Sequence, residues 1–249
     1  MSVHERSTGD WTVADPAAHD RRVRGMFARI AGVYDFMNHF LSFNRDKAWR
    51  REVVRRLDAD TDLLLDLFAG TGDLGRAALD GGRARRVVAA DFCTEMLRAG
   101  GGKGLGGELP AVTADAQRLP LRDGCVDALS AGFGVRNLGD LKRGVAEARR
   151  VLRPDGRLLV LDFFRADPGA EGEARGVPPL VRWYLDTIVP LLGRAFGDRH
   201  AAYTYLPASM GRFVTPREFA GLLDDAGFDE IFIARQTLGI AHIIGGRAR

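Results

Sequence analysis

Residues 63–75 read LLLDLFAGTGDLG, an apolar run that carries Asp66 and then opens through Gly70-Thr71-Gly72-Asp73 into a helix-like stretch. A short run that is apolar on both sides of its pleat suits a strand buried on two faces, as in a parallel sheet. A glycine turn at the end of such a strand lets backbone N–H groups approach a ligand, at the place where open α/β sheets bind theirs. The Gly-Lys-Ser/Thr of a phosphate loop is missing, and so is the GxGxxG spacing of dinucleotide folds. Outward from this stretch, further strands are expected at 85–91, 109–114, 125–132 and 156–164, with the first at 62–68 and helices between them, notably 74–80 and 141–152. The RPDG at 153–156 reads as a turn, with Pro154 to preset φ and Gly156 to take a positive one. TPREFAGLLDDAGF (215–228) reads as an amphipathic helix with Thr215 as N-cap and Pro216 at its first position, and strands at 229–236 and 238–246 close the pattern. The fold class expected is α/β, a doubly wound, mostly parallel seven-stranded sheet.

Upstream, residues 1–24 are polar and aperiodic and predict a flexible arm, while 25–43 and 46–57 carry helical spacing and predict N-terminal helices within 25–58. Residues 165–215 interrupt the alternation and predict a helical insertion on the substrate side, so that 25–249 forms one domain. GKGLGGE (102–108) reads as a flexible connection that holds no ligand.

Composition excludes several classes. The 249 residues are 46% hydrophobic and 28% charged, which is wrong for a disordered, fibrous or integral membrane chain. The net charge of +3 gives no support to nucleic-acid binding. The only lysines are Lys47, Lys103 and Lys142, which leaves 33 arginines, an imbalance read as coding bias. Cys93 and Cys125 lack metal-ligand spacing and are too few for a disulfide framework, so a reducing cytoplasm and a metal-free site are expected. The N-terminal residues lack the apolar core of a signal peptide.

Charge decides which nucleoside ligand the loop suits. A pyrophosphate favours a bare helix N-terminus, whereas Asp66 and Asp73 add negative charge beside Gly70 and Gly72 and suit the ammonium and sulfonium of S-adenosylmethionine. Asp91, 21 residues past Gly70 and at the end of the second expected strand, stands where a carboxylate accepts both ribose hydroxyls. Asp115 ends the third strand, within reach of an adenine amino group. Taken singly, Asp73 reads equally as a helix cap and Asp115 as a turn residue.

These residues and their neighbours resemble the class I methyltransferases, and more closely the ubiquinone/menaquinone biosynthesis C-methyltransferase family. The matching stretches are YDFMNHFLSF (34–43), LDLFAGTGD (65–73), DFCTEML (91–97), DAQRLPLRD (115–123), FGVRNLGD (133–140), EARRVLRPDGRLLVLDF (147–163), YTYLPASMGRF (203–213) and AGF (226–228). By that resemblance Thr71, Asp91, Asp115 and Ala116 are cofactor contacts, with Phe92 and Gly132 beside them. The chain departs from the family pattern where relatives commonly carry Ser at Gly132, Ala at Phe68, Glu at Asp162, and Gly-x-His-Arg at residues 44–47.

Methyl transfer to carbon needs an electron-rich carbon, which a quinol ring supplies once a hydroxyl ionises. Arg136 is the first candidate to favour that phenolate, and Asn137 to hydrogen-bond the same oxygen or hold Arg136. Tyr34 and Tyr205 are expected to bond the ring oxygens, with Phe40, Trp183, Tyr184 and Tyr203 as walls. Asp46, standing where relatives carry His, is a candidate base, while His39 and His200 read better as surface or structural residues. The resemblance implies a polyprenyl quinol acceptor, demethylmenaquinol before others, and an enzyme that works at the inner membrane face; residues 180–197 read either as an ordinary lid helix or as a segment with an apolar side to offer that surface. The residues leave open a smaller phenol or polyketide acceptor, a non-catalytic cofactor-binding module, and the choice between monomer and homodimer.

Overall fold

The computed structural model describes residues 13–167, 205 and 209–249. Seven strands form one sheet: β1 (Leu63–Leu67), β2 (Arg86–Asp91), β3 (Ala111–Thr113), β4 (Val126–Gly132), β5 (Leu152–Asp162), β6 (Phe228–Gln236) and β7 (Ala241–Ala248). Their order is β3-β2-β1-β4-β5-β7-β6, with β1 to β5 parallel and β7 antiparallel to both its neighbours. The chain runs outward from β1 through β2 to β3 and then crosses back to β4. The carboxyl ends of β1 and β4 therefore flank the switch point where such sheets open a crevice.

The helices are α1 (Pro16–Ile30), α2 (Tyr34–Leu41), α3 (Arg45–Arg55), α4 (Asp73–Asp80), α5 (Thr94–Ala99), α6 (Leu141–Val151) and α7 (Pro216–Asp225). Successive strand residues feed opposite layers. Leu65, Leu158 and Val160 pack with Val145 and Ala148 of α6 and Phe219 and Leu223 of α7, while Leu64, Leu159 and Leu161 pack with Trp49 and Val53 of α3 and Ala78 of α4. This is why the strands read as unbroken apolar runs: both faces are covered.

The expected seven-stranded, doubly wound sheet is the one found. At Thr215 a full capping box forms, the hydroxyl accepting from Glu218 N–H while the Glu218 carboxylate accepts from Thr215 N–H, with Pro216 opening α7. Three local expectations are corrected. The arm does not reach residue 24, because Asp15 caps α1, accepting from Ala18 N–H at 2.9 Å, and Val23 and Met26 are buried. The helical pattern of 25–43 is broken by a 3₁₀ turn, Ala31–Val33, before α2 starts at Tyr34. In RPDG it is Asp155, at φ 64°, that takes the positive φ, and Gly156 is needed because a Cβ there would lie 2.8 Å from Arg153 O. Most of the insertion expected at 165–215 lies outside the described residues, and with it Trp183, Tyr184, His200, Tyr203 and the 180–197 segment. No helix among the described residues is long and apolar enough to cross a membrane.

Candidate active site

The loop after β1 is shaped by what lies beneath it. Gly72 serves as N-cap of α4 in the left-handed region, φ 86°, and a Cβ there would run into Leu105, 2.0 Å away. Having no side chain, Gly72 cannot cap the helix, and Asp66 does so from the neighbouring strand: its Oδ2 accepts from Gly75 N–H at 2.9 Å and its Oδ1 from the Ser130 hydroxyl at 2.7 Å. Asp66 is wholly buried, and burial raises its carboxyl to about 7. Each oxygen thus carries one hydrogen bond, one to α4 and one to β4, and keeps a second lone pair, as the expected contact with a ligand's ammonium requires. Asp66 lies against a small cavity that it shares with Tyr34, Gly70, Thr71, Asp73 and Gly132.

The main cleft lies over the carboxyl ends of β1, β2 and β4, and it gathers Tyr34, Gly70, Asp91, Phe92, Asp115, Ala116, Gly132 and Asn137. Asp91, at the tip of β2, accepts from Gly70 N–H and Cys93 N–H, both at 2.8 Å, and burial raises its carboxyl to about 6. Each of its oxygens keeps a second lone pair for a ligand hydroxyl. Asp115 lines the same cleft while its Oδ1 accepts from Gln117 N–H at 2.8 Å, so it is both turn residue and cleft residue. The apolar walls come from Phe92, Ala116, Met96 and Leu138, suited to the faces of a purine. Helix α1 closes one side with Phe27 and with Asp20, which accepts from Gln117 Nε2 at 3.0 Å.

Over the loop sits an ion network that sequence reading missed. Lys103 Nζ contacts Asp35 Oδ2 at 2.6 Å, Asp73 Oδ1 at 2.5 Å and Thr71 Oγ1 at 2.9 Å, so the connection at 102–108 supplies a cation to the site and is no idle linker. Thr71 donates to Asp35. Arg50 bridges Asp46, to which it donates through Nη1, and Asp73, 3.6 Å from that nitrogen. Asp46 is buried and also receives His39 Nδ1 at 2.9 Å and the Ser42 hydroxyl at 2.7 Å, and these partners hold its carboxyl below the ordinary range. Asp46 does not line the cleft, because the i, i+4 spacing on α3 turns it onto Arg50 instead. His39, Asp46 and Asp73 bring three potential metal-ligand atoms within 4.8 Å, but the Arg50 guanidinium already lies against two of the three. Across the network, Arg50 and Lys103 face Asp35, Asp46 and Asp73, one acid more than bases. S-Adenosylmethionine, with two positive groups and one carboxylate, has the complementary charge, so the donor set fits it.

FGVRN follows β4 as a 3₁₀ turn, Val135–Asn137. Asn137 is buried and stands between the main cleft and a second cavity. Its Oδ1 accepts from the Tyr205 hydroxyl at 3.0 Å and its backbone oxygen lies 3.1 Å from the His19 ring. Arg136 and Tyr205 line that second cavity, together with Arg22, Arg212 and Leu141, and do not line the main cleft. Arg136 Nη1 contacts Asp162 Oδ1 at 2.5 Å and Phe133 O at 2.7 Å, and among the described residues its buried Nε has no hydrogen-bond partner. Burial raises both phenols, Tyr34 and Tyr205, above their ordinary values, so each stays protonated as a donor. Phe68, where relatives commonly carry Ala, lines the main cleft at φ 54° and lies where a Cβ on Gly134 would stand, 2.0 Å from its Cγ.

A family model described as the ubiE/COQ5 methyltransferase family matches residues 16–247. A ubiquinone/menaquinone biosynthesis C-methyltransferase UbiE from Caulobacter sp. (strain K31) is 35% identical over 244 residues, covering 94% of each chain. A demethylmenaquinone methyltransferase from Thermus thermophilus is 37% identical over 228 residues, covering 89% of this chain and 100% of its own. Among solved structures, a SAM-dependent methyltransferase from Thermotoga maritima superposes with TM-score 0.62 at 17% identity, covering 90% of this chain and 99% of the other. One from Aquifex aeolicus gives 0.55 at 17% identity, covering 80% and 89%. At these identities the structures bear on fold alone.

Proposed function

The chain belongs to the ubiE/COQ5 methyltransferase family, an S-adenosylmethionine-dependent methyltransferase, and from that premise we propose that it methylates a ring carbon of a polyprenyl quinol, demethylmenaquinol before others. The observation that carries this reading is the polar pair Arg136-Asn137 at the partition between the two cavities, with a buried guanidinium nitrogen that has no partner among the described residues. A pure binding module has no use for such a pair inside an apolar loop.

The bound cofactor supplies an electrophilic methyl group on a sulfonium. The chain's residues do the rest. Asp91 and Asp115 hold the ribose and adenine, and the Gly70–Asp73 loop holds the methionine end. Arg136 favours the ionised hydroxyl of the acceptor, which pushes electron density onto the ring carbon. Tyr205, protonated and fixed on Asn137, orients the ring at the partition. Most of the acceleration is expected from this alignment.

The acceptor's tail resides in a bilayer. Phe36, Phe40 and Phe43 stand exposed on α2 and the turn after it, next in sequence to Tyr34 and Asp35, with Arg45 and Lys47 exposed beside them. They support contact with an anionic membrane surface. Cosedimentation with anionic vesicles is expected to drop when all three become Ser, and unchanged binding would refute this contact.

The acceptor is tested by incubating the protein with methyl-labelled S-adenosylmethionine and, separately, demethylmenaquinol, a prenylated benzoquinol and a phenol without a tail. Label on a ring carbon of demethylmenaquinol is expected, with Arg136→Ala losing most turnover but binding S-adenosylhomocysteine within a few-fold of wild type. Label confined to the tail-less phenol, or found on oxygen, would overturn the reading.

A further inference from the structure

We infer that Arg50 of α3 recognises the carboxylate of the cofactor's methionine moiety. Arg50 lines the small cavity behind the β1 loop together with Gly70, Thr71 and Asp73, and neither Asp91 nor Asp115 is part of that lining. Its guanidinium carbon lies 5.5 Å from the centroid of the Phe133 ring, so it sits between the loops that follow β1 and β4. Both of its contacts to acids run through one nitrogen, Nη1. A guanidinium is a planar fork of five donors, so a charge-assisted pair with a second carboxylate suits it.

The other cation near the loop is less suited. The three donors of Lys103 match its three contacts, Asp35, Asp73 and Thr71, and Lys103 does not line the cavity. Asp46 gives Arg50 its direction. Buried and held by His39 and Ser42, Asp46 pins the guanidinium from the side of α3, so little side-chain freedom remains to be lost on binding. Asp46 thus becomes a positioning residue behind Arg50, which explains a buried acid at a position where a base was expected.

The test is calorimetry on the full chain with S-adenosylhomocysteine and with its decarboxylated analogue, which lacks only the carboxylate. Wild type is expected to prefer S-adenosylhomocysteine by on the order of 10–100-fold. Arg50→Met is expected to erase that preference by weakening S-adenosylhomocysteine alone, and Arg50→Lys to restore part of it. Because Arg50→Met strands the Asp46 charge, the double variant Asp46→Asn/Arg50→Met provides a second measurement, with the same loss of preference expected. Equal weakening of both compounds would make Arg50 a structural residue and overturn the inference. Equal affinity of the wild type for the two compounds would overturn it without any variant. Failure of wild type to bind either compound would instead count against the cofactor assignment itself.

Discussion

Arg136 reaches across from the turn after β4 to the end of β5, where its Nη1 lies 2.5 Å from Oδ1 of Asp162, a carboxylate with no exposed surface. The same carboxylate accepts from the Arg136 backbone N–H at 3.2 Å and from Phe163 N–H at 2.8 Å, and the guanidinium packs over the Phe163 ring. One acid therefore fixes both the backbone and the side chain of the proposed catalytic arginine. Removing its charge while leaving Arg136 buried is expected to cost roughly 3–5 kcal/mol, measured as a fall in urea midpoint for Asp162→Asn. Asp162→Glu keeps the charge and is expected to lose less than half as much.

Asp66 bears on the pH dependence of stability. Its carboxyl is raised to about 7 in the folded chain from an ordinary 3.8, so between those values the folded state holds the extra proton. Stability from this group is therefore lost as pH rises through that window. Asn at this position can still accept from Gly75 N–H and can donate to Ser130. Asp66→Asn is expected to melt close to wild type at pH 4 and above it at pH 8. A variant that melts lower at pH 8 would contradict the account of Asp66.

Asp91 makes a different pH prediction, about binding. With its carboxyl near 6 in the free protein, the ionised form that accepts ribose hydroxyls is lost as pH falls through that value. Affinity for S-adenosylhomocysteine is expected to be flat above pH 7 and to weaken roughly tenfold per unit below about pH 6. Asp91→Asn is expected to bind on the order of 100-fold more weakly at pH 8 and to flatten the profile. Titration calorimetry across the range reads both.

Gly134 and Phe68 are expected to be coupled. A Cβ at Gly134 would lie 2.0 Å from Phe68 Cγ, so Gly134→Ala should cost about 1–3 kcal/mol through overpacking. Phe68→Ala restores the residue relatives commonly carry and removes the clash. The double variant is expected to be more stable than Gly134→Ala alone, and a simple sum of the two single losses would contradict the coupling.

The sheet was legible because its signal is local: the inner strands β1, β4 and β7 are apolar runs buried on both faces, which leaves no alternation to misread. Asp91 and Asp115 were expected near each other for the same reason, standing where strands end, and both line the main cleft, while Ala116 came from the family resemblance alone. The cap that Asp66 gives α4 was not legible, because its partner, Gly75 N–H, is an orphan donor of α4 that only the closed loop brings within 2.9 Å. Arg50 and Lys103 were missed because neither sits in a distinctive motif. One meets Asp73 through the packing of α3 beside α4, the other through a glycine-rich connection with no periodicity. Asp46 misled because residue type at a family position suggested a role that its i, i+4 neighbour had already taken.

The proposed reaction runs through an ionised ring hydroxyl, favoured by Arg136, that makes the acceptor carbon nucleophilic. It is tested most directly by presenting methyl-labelled S-adenosylmethionine and the purified protein with reduced and with oxidised demethylmenaquinone under anaerobic conditions. Label is expected in the reduced ring, with none above background in the oxidised one. Equal labelling of both would contradict it.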